Sequence, residues 1–233
     1  MIYVTSDIHG DIDRLKTRAV KALRKTDTLI VLGDFGFLWH GGKKEEKILQ
    51  KLAKVRYQLC FIDGCHENFD LLKEYPIEPY MGGNARRLGK NLYYLMRGEV
   101  YTIEDKRILA FGGAESKDKD ERIEGVNWWR AELAKADELD KCEENLSRVN
   151  WTVDYILTHD APAKLLMFID MSLHEFNWFE AFLDEIMKRT TYSRWLFGRY
   201  HKDSIISQKA TAVYRNVVPL WDAKNTMPAK ADD

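Results

Sequence analysis

Aspartate and histidine residues stand directly after several of the apolar runs in this chain. The segments that hold them are SDIHGD (6–11), LGDFG (32–36), GCHEN (64–68), YILTHDAP (155–162) and FGRYHKD (197–203). Carboxylates mixed with imidazoles suit Zn, Mn, Fe or Ni ions. These segments therefore predict a divalent-metal site, with candidate ligands Asp7, His9, Asp34, His159 and His201.

The spacing within the first two segments supports this prediction. In an extended chain, Asp7 and His9 would point to the same side, so both could reach one ion. Asp34 has two carboxylate oxygens and could bridge two ions. Two metals about 4 Å apart can activate a bridging hydroxide and hold a phosphoryl group during in-line displacement.

Cys65 and His66 are neighbours behind an apolar run. Three interpretations of the pair are open at this point: a metal ligand beside an acid, a cysteine nucleophile with its base, or core filling at the end of a strand. Neighbouring residues on a strand point to opposite faces, which disfavours the nucleophile.

Strand and helix patterns alternate in the first third of the chain. The strand-like runs are 1–6, 27–34 and 57–64, and the helical patterns between them are 11–24 and 43–55. This order predicts a parallel sheet with crossover helices. The aspartates and histidines would then lie at the carboxyl ends of the strands, where open α/β sheets bind their ligands.

The rest of the chain holds more strands than one sheet would accommodate. Residues 91–113 predict a meander, helices are predicted at 136–149 and 175–189, and further strands at 153–159, 193–198, 204–208 and 211–218. We predict two sheets in a single α/β domain over residues 1–222, followed by a frayed tail at 223–233.

Composition restricts the partners and the location. The chain has 36 basic and 37 acidic residues, so its net charge of -1 does not indicate nucleic acid binding, although such binding stays possible. We see no signal peptide and no apolar run near the roughly 20 residues of a membrane span. The three cysteines make a poor disulfide framework. We therefore expect a reduced, cytoplasmic protein without membrane contact.

The ordered motifs resemble those of the calcineurin-like metallophosphoesterases. That pattern is D-x-H, G-D, G-N-H-[DE], a lone H and G-H-x-H, and the chain has DIH (7–9), GD (33–34), GCHE (64–67), His159 and GRYH (198–201). GGAESKDKDER and GVNWW are similar to stretches of its small bacterial and phage members. The resemblance implies a four-layer α/β/β/α sandwich, with two mixed sheets flanked by helices. It also implies a metal-dependent phosphatase or phosphodiesterase.

The resemblance assigns roles residue by residue. A complete first metal site would contain Asp7, His9, Asp34 and His201. A second site would contain Asp34 and His159, but Cys65 stands at the asparagine position and Arg199 at a histidine position. His66 matches the catalytic histidine, which contacts the phosphate and protonates the leaving oxygen.

Because of these two departures, the sequence does not decide whether the second site binds a metal. A thiolate from Cys65 can bind Zn or Fe, whereas the Arg199 guanidinium cannot ligate a cation and would repel one. Arg199 could instead hold phosphate through a bidentate contact. We expect one firmly bound metal and an uncertain second. The main hypothesis is a phosphoesterase that hydrolyses a phosphorylated small molecule or nucleotide, with full activity or with activity weakened by the altered second metal site. The alternative is a degenerate relative that binds metal and phosphate without turnover.

Overall fold

Short runs of aliphatic and aromatic residues form the strands, and those at the sheet centres are buried on both faces. The computed structural model describes residues 1–169 and 176–221. The strands are β1 Ile2–Thr5, β2 Thr28–Leu32, β3 Gln58–Ile62, β4 Ile77–Tyr80, β5 Gly83–Gly89, β6 Leu92–Leu95, β7 Glu99–Ile103, β8 Lys106–Phe111, β9 Tyr155–Thr158, β10 Arg194–Phe197, β11 Ser204–Ile205, β12 Ala210–Ala212 and β13 Val218–Pro219.

These strands make two mixed sheets. The first has the order β13-β1-β2-β3-β6-β5-β4, and the second has the order β11-β12-β10-β9-β8-β7. Strands β1, β2, β3 and β6 are parallel to one another, as are β8, β9, β10 and β12. Antiparallel strands occupy the edges of both sheets. The parallel first third of the chain is as predicted.

Helices cover the outer face of each sheet. They are α1 Arg18–Ala22, α2 Lys43–Leu52, α3 Phe69–Lys73, α4 Ala136–Arg148, α5 Ala163–Ile169 and α6 Trp178–Arg189. Helices α1 to α3 pack on the first sheet, and α4 to α6 pack on the second.

A third apolar cluster fills the space between the sheets. The alternation of side chains along β2 illustrates the arrangement: Leu29 and Val31 face the helices, whereas Ile30 and Leu32 face the other sheet. The four-layer α/β/β/α prediction is therefore confirmed. Among the described residues, no helix is both long enough and apolar enough to cross a membrane.

The single helix predicted at 11–24 is wrong. Residues Ile12–Lys16 form a 3₁₀ turn, and α1 begins separately after Thr17. The Thr17 side chain accepts a hydrogen bond from the Val20 N–H at 3.4 Å, so this residue caps a new helix. The spacing of apolar residues predicted one continuous helix, but the capping residue Thr17 lies within that stretch and divides it in two.

The predicted meander at 91–113 is also wrong. Strand β6 pairs with β3 in the first sheet, whereas β7 and β8 belong to the second. The predicted strand at 211–218 divides in the same way, into β12 and β13 of different sheets. Strands β4 and β5 were not predicted. The frayed tail at 223–233 and the start of the helix predicted from 175 lie outside the described residues.

Candidate active site

The carboxyl ends of β1 and β10 bring together the first group of possible metal ligands. Its members are Asp7, His9 and His201, whose ligand atoms all lie within 4.8 Å of one another. The Nε2 atoms of His9 and His201 are 3.2 Å apart. His201 Nε2 is 3.4 Å from the buried Oδ1 of Asp7. Two segments almost 200 residues apart in sequence thus converge on one point, as predicted.

The backbone reaches this point in an unusual conformation. Asp7, His9, Asp34, Arg199 and His201 all have positive φ, between 48° and 66°. Non-glycine residues seldom adopt this left-handed region, and such residues cluster at active sites. The prediction that Asp7 and His9 form an extended pair is therefore wrong. Their positions depend on hydrogen bonds from the Asp7 N–H to Gly33 O, 3.1 Å, and from the His9 N–H to Asp34 O, 2.8 Å.

Asp34 lies at the centre of the site. Its Oδ2 is 3.8 Å from His9 Nε2 and 3.1 Å from His66 Nδ1, while its Oδ1 is 3.5 Å from His159 Nε2. Burial opposes ionisation of this carboxyl, but the neighbouring His159 and His66 bring its pKa below the ordinary value. An ionised carboxylate in contact with histidines on both sides has the geometry expected of a bridging ligand.

A second ligand group contains Asp34, Cys65 and His159, whose ligand atoms lie within 4.8 Å of one another. Asp34 and His159 are buried, and Cys65 is partly buried. His159 Nδ1 is 2.7 Å from the Leu32 carbonyl oxygen, which can only accept. Nδ1 therefore donates this hydrogen bond, and Nε2 is the ring nitrogen directed at the site. Cys65 Sγ is 3.9 Å from Asp34 Oδ2.

Two buried polar atoms support cation binding. Asp7 Oδ1 and His159 Nε2 have no hydrogen-bond partner among the described residues. Buried polar groups are almost always paired, so these two atoms point to a ligand that would complete them. The carboxylate, imidazole and thiol donors fit a divalent transition-metal ion.

Glycine is required where these ligands meet the backbone. A Cβ at Gly64 would clash with the Asp34 side chain and with His159 Nε2, and a Cβ at Gly198 would clash with the Ser6 side chain. The glycines of both motifs therefore allow the ligands to approach one another closely.

Cys65 and His66 do not point to opposite sides, as the strand argument predicted. Strand β3 ends at Ile62, so both residues lie in the following loop, with Cys65 Sγ 3.4 Å from His66 Nδ1. Burial, followed by the charge of Asp34, raises the pKa of the Cys65 thiol well above its ordinary value. A protonated thiol gives no support to the nucleophile interpretation.

His66 is held by Asp34 at two points. Its backbone N–H donates to Asp34 Oδ1 at 2.8 Å, and its Nδ1 lies 3.1 Å from Asp34 Oδ2. The hydrogen bond to Asp34 raises the pKa of the imidazole. The opposite ring nitrogen, Nε2, is 3.2 Å from Nη2 of Arg122, a residue that sequence reasoning did not identify.

Glu67 also supports the site, although no role was predicted for it. Its buried carboxylate accepts the Phe35 N–H at 2.7 Å and the Gly36 N–H at 3.4 Å. Burial, with Asp34 nearby, raises the pKa of Glu67 well above its ordinary value. Glu67 therefore positions the turn that follows Asp34. Its place beside His66 in GCHEN was the available sequence signal.

Arg199 has protein partners on both Nη atoms. Nη1 forms an ion pair with the Asp160 carboxylate, and Nη2 donates to the Glu115 carbonyl oxygen at 2.6 Å. Its backbone N–H donates to Asp7 Oδ2 at 3.0 Å. The phosphate-clamp hypothesis stays a prediction, and these contacts favour a structural role instead. Asp160 also offsets the positive charge that was expected to repel a second metal.

Two sheets between helical layers, with histidines and aspartates at the carboxyl ends of the strands, define a metallophosphoesterase architecture. A family model described as calcineurin-like phosphoesterase matches residues 1–198. The chain therefore belongs to the calcineurin-like phosphoesterase family, which is one of metal-dependent phosphoester hydrolysis. The resemblance that the sequence motifs carried is confirmed. A search of curated proteins found no match.

Proposed function

We propose that this protein is a metal-dependent hydrolase of phosphomonoesters or phosphodiesters. The observation that carries the proposal is the position of Asp34, which shares one possible ligand group with Cys65 and His159, lies 3.8 Å from His9 of the other group, and contacts His66 through the same carboxylate. Membership of the phosphoesterase family supports it.

The proposed first metal site contains Asp7, His9, Asp34 and His201, and the second contains Asp34, Cys65 and His159. A divalent ion there would act as a Lewis acid and lower the pKa of a bound water. We propose Mn, Fe, Zn or Ni for the first site. The Cys65 thiolate would favour Zn or Fe in the second, which we propose binds its ion less firmly than the first.

His66 is the proposed general acid. Asp34 orients the ring through Nδ1, so Nε2 is the nitrogen available to the substrate. The oxygen of water would bond to phosphorus as the water loses one proton to solvent, and the ester P–O bond would break. The electron pair of that bond goes to the leaving oxygen, which takes a proton from Nε2. Such acid catalysis typically contributes 10²–10⁴ in rate.

The proposed substrate is a phosphorylated small molecule or a nucleotide. The nearly neutral charge balance of the chain supports this over a long nucleic acid. We also propose a cytoplasmic location, which the three free cysteines support.

Hydrolysis of p-nitrophenyl phosphate and bis(p-nitrophenyl) phosphate with added Mn or Zn tests the proposal. We expect His66→Ala to lower kcat by about 10²–10⁴, while the surface variant Lys188→Ala keeps wild-type activity. Equal activity of both variants would contradict the role of His66.

The alternative is a relative that binds metal and phosphate without turnover. The observation that favours it is the pair of departures at Cys65 and Arg199. Stoichiometric metal, tight phosphate binding and no hydrolysis of either ester with any of the four metals would establish this alternative.

A further inference from the structure

Arg122 places a guanidinium group against the catalytic face of His66. Its Nη2 is 3.2 Å from His66 Nε2, and its side chain is 17% exposed. Nη2 also contacts Asp118 Oδ2 at 2.8 Å, and Nη1 donates to the Asn127 carbonyl oxygen at 3.2 Å. A guanidinium can only donate hydrogen bonds, so Nε2 must be the acceptor in this contact.

Two other arginines beside the site have more stable partners. Arg14 donates to the backbone carbonyls of Ser6, Asp7 and Tyr214, and Arg199 pairs with the fully buried Asp160. Their guanidinium groups complete the protein's own structure.

The partners of Arg122 are easier to exchange. Asp118 is 53% exposed, and an ion pair with so exposed a carboxylate contributes little to stability. The other partner of Nη2 is His66 Nε2, at 3.2 Å, and only Nη1 has a backbone carbonyl, that of Asn127, as its partner. A phosphoryl oxygen would be a stronger partner for the guanidinium than either of these groups.

We propose that Arg122 is the substrate-binding cation of this site and that it holds a non-bridging phosphoryl oxygen. The inference rests on the proposed function, because it assumes that the ester oxygen lies at His66 Nε2. The phosphoryl oxygens would then lie within reach of the Arg122 guanidinium. When the guanidinium binds the phosphoryl oxygens, it no longer contacts His66 Nε2. It also stabilises the negative charge that develops on the phosphoryl group as the ester bond breaks.

This inference reassigns the phosphate contact from Arg199 to Arg122. It also gives a function to the loop between β8 and α4. That loop contains the charged stretch GGAESKDKDER, and it carries Arg122 to the side of His66 opposite Asp34.

The test uses Arg122→Ala and Arg122→Lys, with Arg130→Ala as a matched control. Arg130 lies in the same loop, and its side chain is 79% exposed and pairs with Glu124 at 3.6 Å. We expect Arg122→Ala to lower kcat/KM for bis(p-nitrophenyl) phosphate by about 10²–10³, the range for losing one transition-state donor. Arg122→Lys should lose less, and Arg130→Ala should stay within about threefold of wild type.

Inorganic phosphate provides a measurement that needs no turnover. Calorimetric titration of the metal-loaded protein should show at least tenfold weaker phosphate binding in Arg122→Ala, and unchanged binding in Arg130→Ala. Added methylguanidine should restore part of the lost activity in Arg122→Ala, which a purely structural role would not allow.

These measurements separate the inference from the proposed function. If the wild type hydrolyses esters and Arg122→Ala matches Arg130→Ala in both assays, the inference is wrong and the function stands. If the wild type hydrolyses nothing but Arg122→Ala still loses phosphate binding, the function is wrong and the phosphate contact stands. Should Arg122→Ala fail to fold, Arg122→Lys decides, with wild-type values in both assays overturning the inference.

Discussion

Arg199 and Asp160 form an ion pair next to the second ligand group, and replacing Arg199 with Met tests which role this arginine has. Asp160 is 0% exposed and the Arg199 side chain is 12% exposed. Asp160 Oδ1 accepts hydrogen bonds from the Ala161 N–H and the Tyr200 hydroxyl, whereas Oδ2 has Arg199 as its partner. Arg199→Met therefore leaves a buried carboxylate oxygen without its cation.

The expected loss of unfolding free energy in Arg199→Met follows from the burial of Asp160. Removing one partner of a buried ion pair costs about 3–5 kcal/mol. The two hydrogen bonds that remain on Oδ1 place the expected loss of unfolding free energy at the lower end, about 3 kcal/mol. For a chain of this size, that corresponds to a fall in Tm of about 6–12 °C.

A double-mutant cycle separates the pair from other effects of the substitutions. Asp160→Asn removes the buried charge, so Arg199→Met should cost about 2 kcal/mol less in that background. Urea unfolding followed by far-UV circular dichroism gives all four free energies. The kcat/KM of each variant, measured below its unfolding transition, reports the effect on the site.

Two results would refute this reasoning. A loss below about 1 kcal/mol in Arg199→Met would show that Asp160 does not depend on the pair. Wild-type stability together with a loss of kcat/KM above about 10² would instead establish Arg199 as the phosphate clamp.

Two further predictions concern the second ligand group and the pH dependence of stability. Cobalt-loaded protein should show a thiolate-to-metal absorption band in the near ultraviolet that Cys65→Ser lacks, and a spectrum unchanged by the substitution would exclude Cys65 as a ligand. Burial opposes ionisation of Asp27, but hydrogen bonds from Arg24 lower its pKa below the ordinary value. A carboxyl with a lowered folded pKa stabilises the protein above its unfolded pKa, about 3.9, and loses that contribution as the pH falls further. The free energy of unfolding should therefore decrease more steeply below pH 4 in wild type than in Asp27→Asn, and parallel curves would contradict this.

The sequence by itself was enough for the family and for most of the residues that the structure brings together as possible ligands. Asp7, Asp34 and His159 could be predicted as candidates because each follows an apolar run that forms a buried strand. The carboxyl ends of parallel strands lie at one edge, so residues far apart in sequence could be expected to meet there. The four-layer architecture followed from the motifs, and the parallel start of the first sheet followed from the alternation of strands and helices.

The tertiary structure alone decided which strand joins which sheet and which cation faces His66. The local pattern of residues 91–113 indicates strands. Pairing with strands distant in sequence places β6 in the first sheet, and β7 and β8 in the second. Arg122 lies in a charged loop whose composition is typical of a solvated surface, and only the packing of that loop brings it to His66. Periodicity and motif spacing are local properties of the chain, whereas strand pairing and the partner of a buried charge depend on segments far apart in sequence.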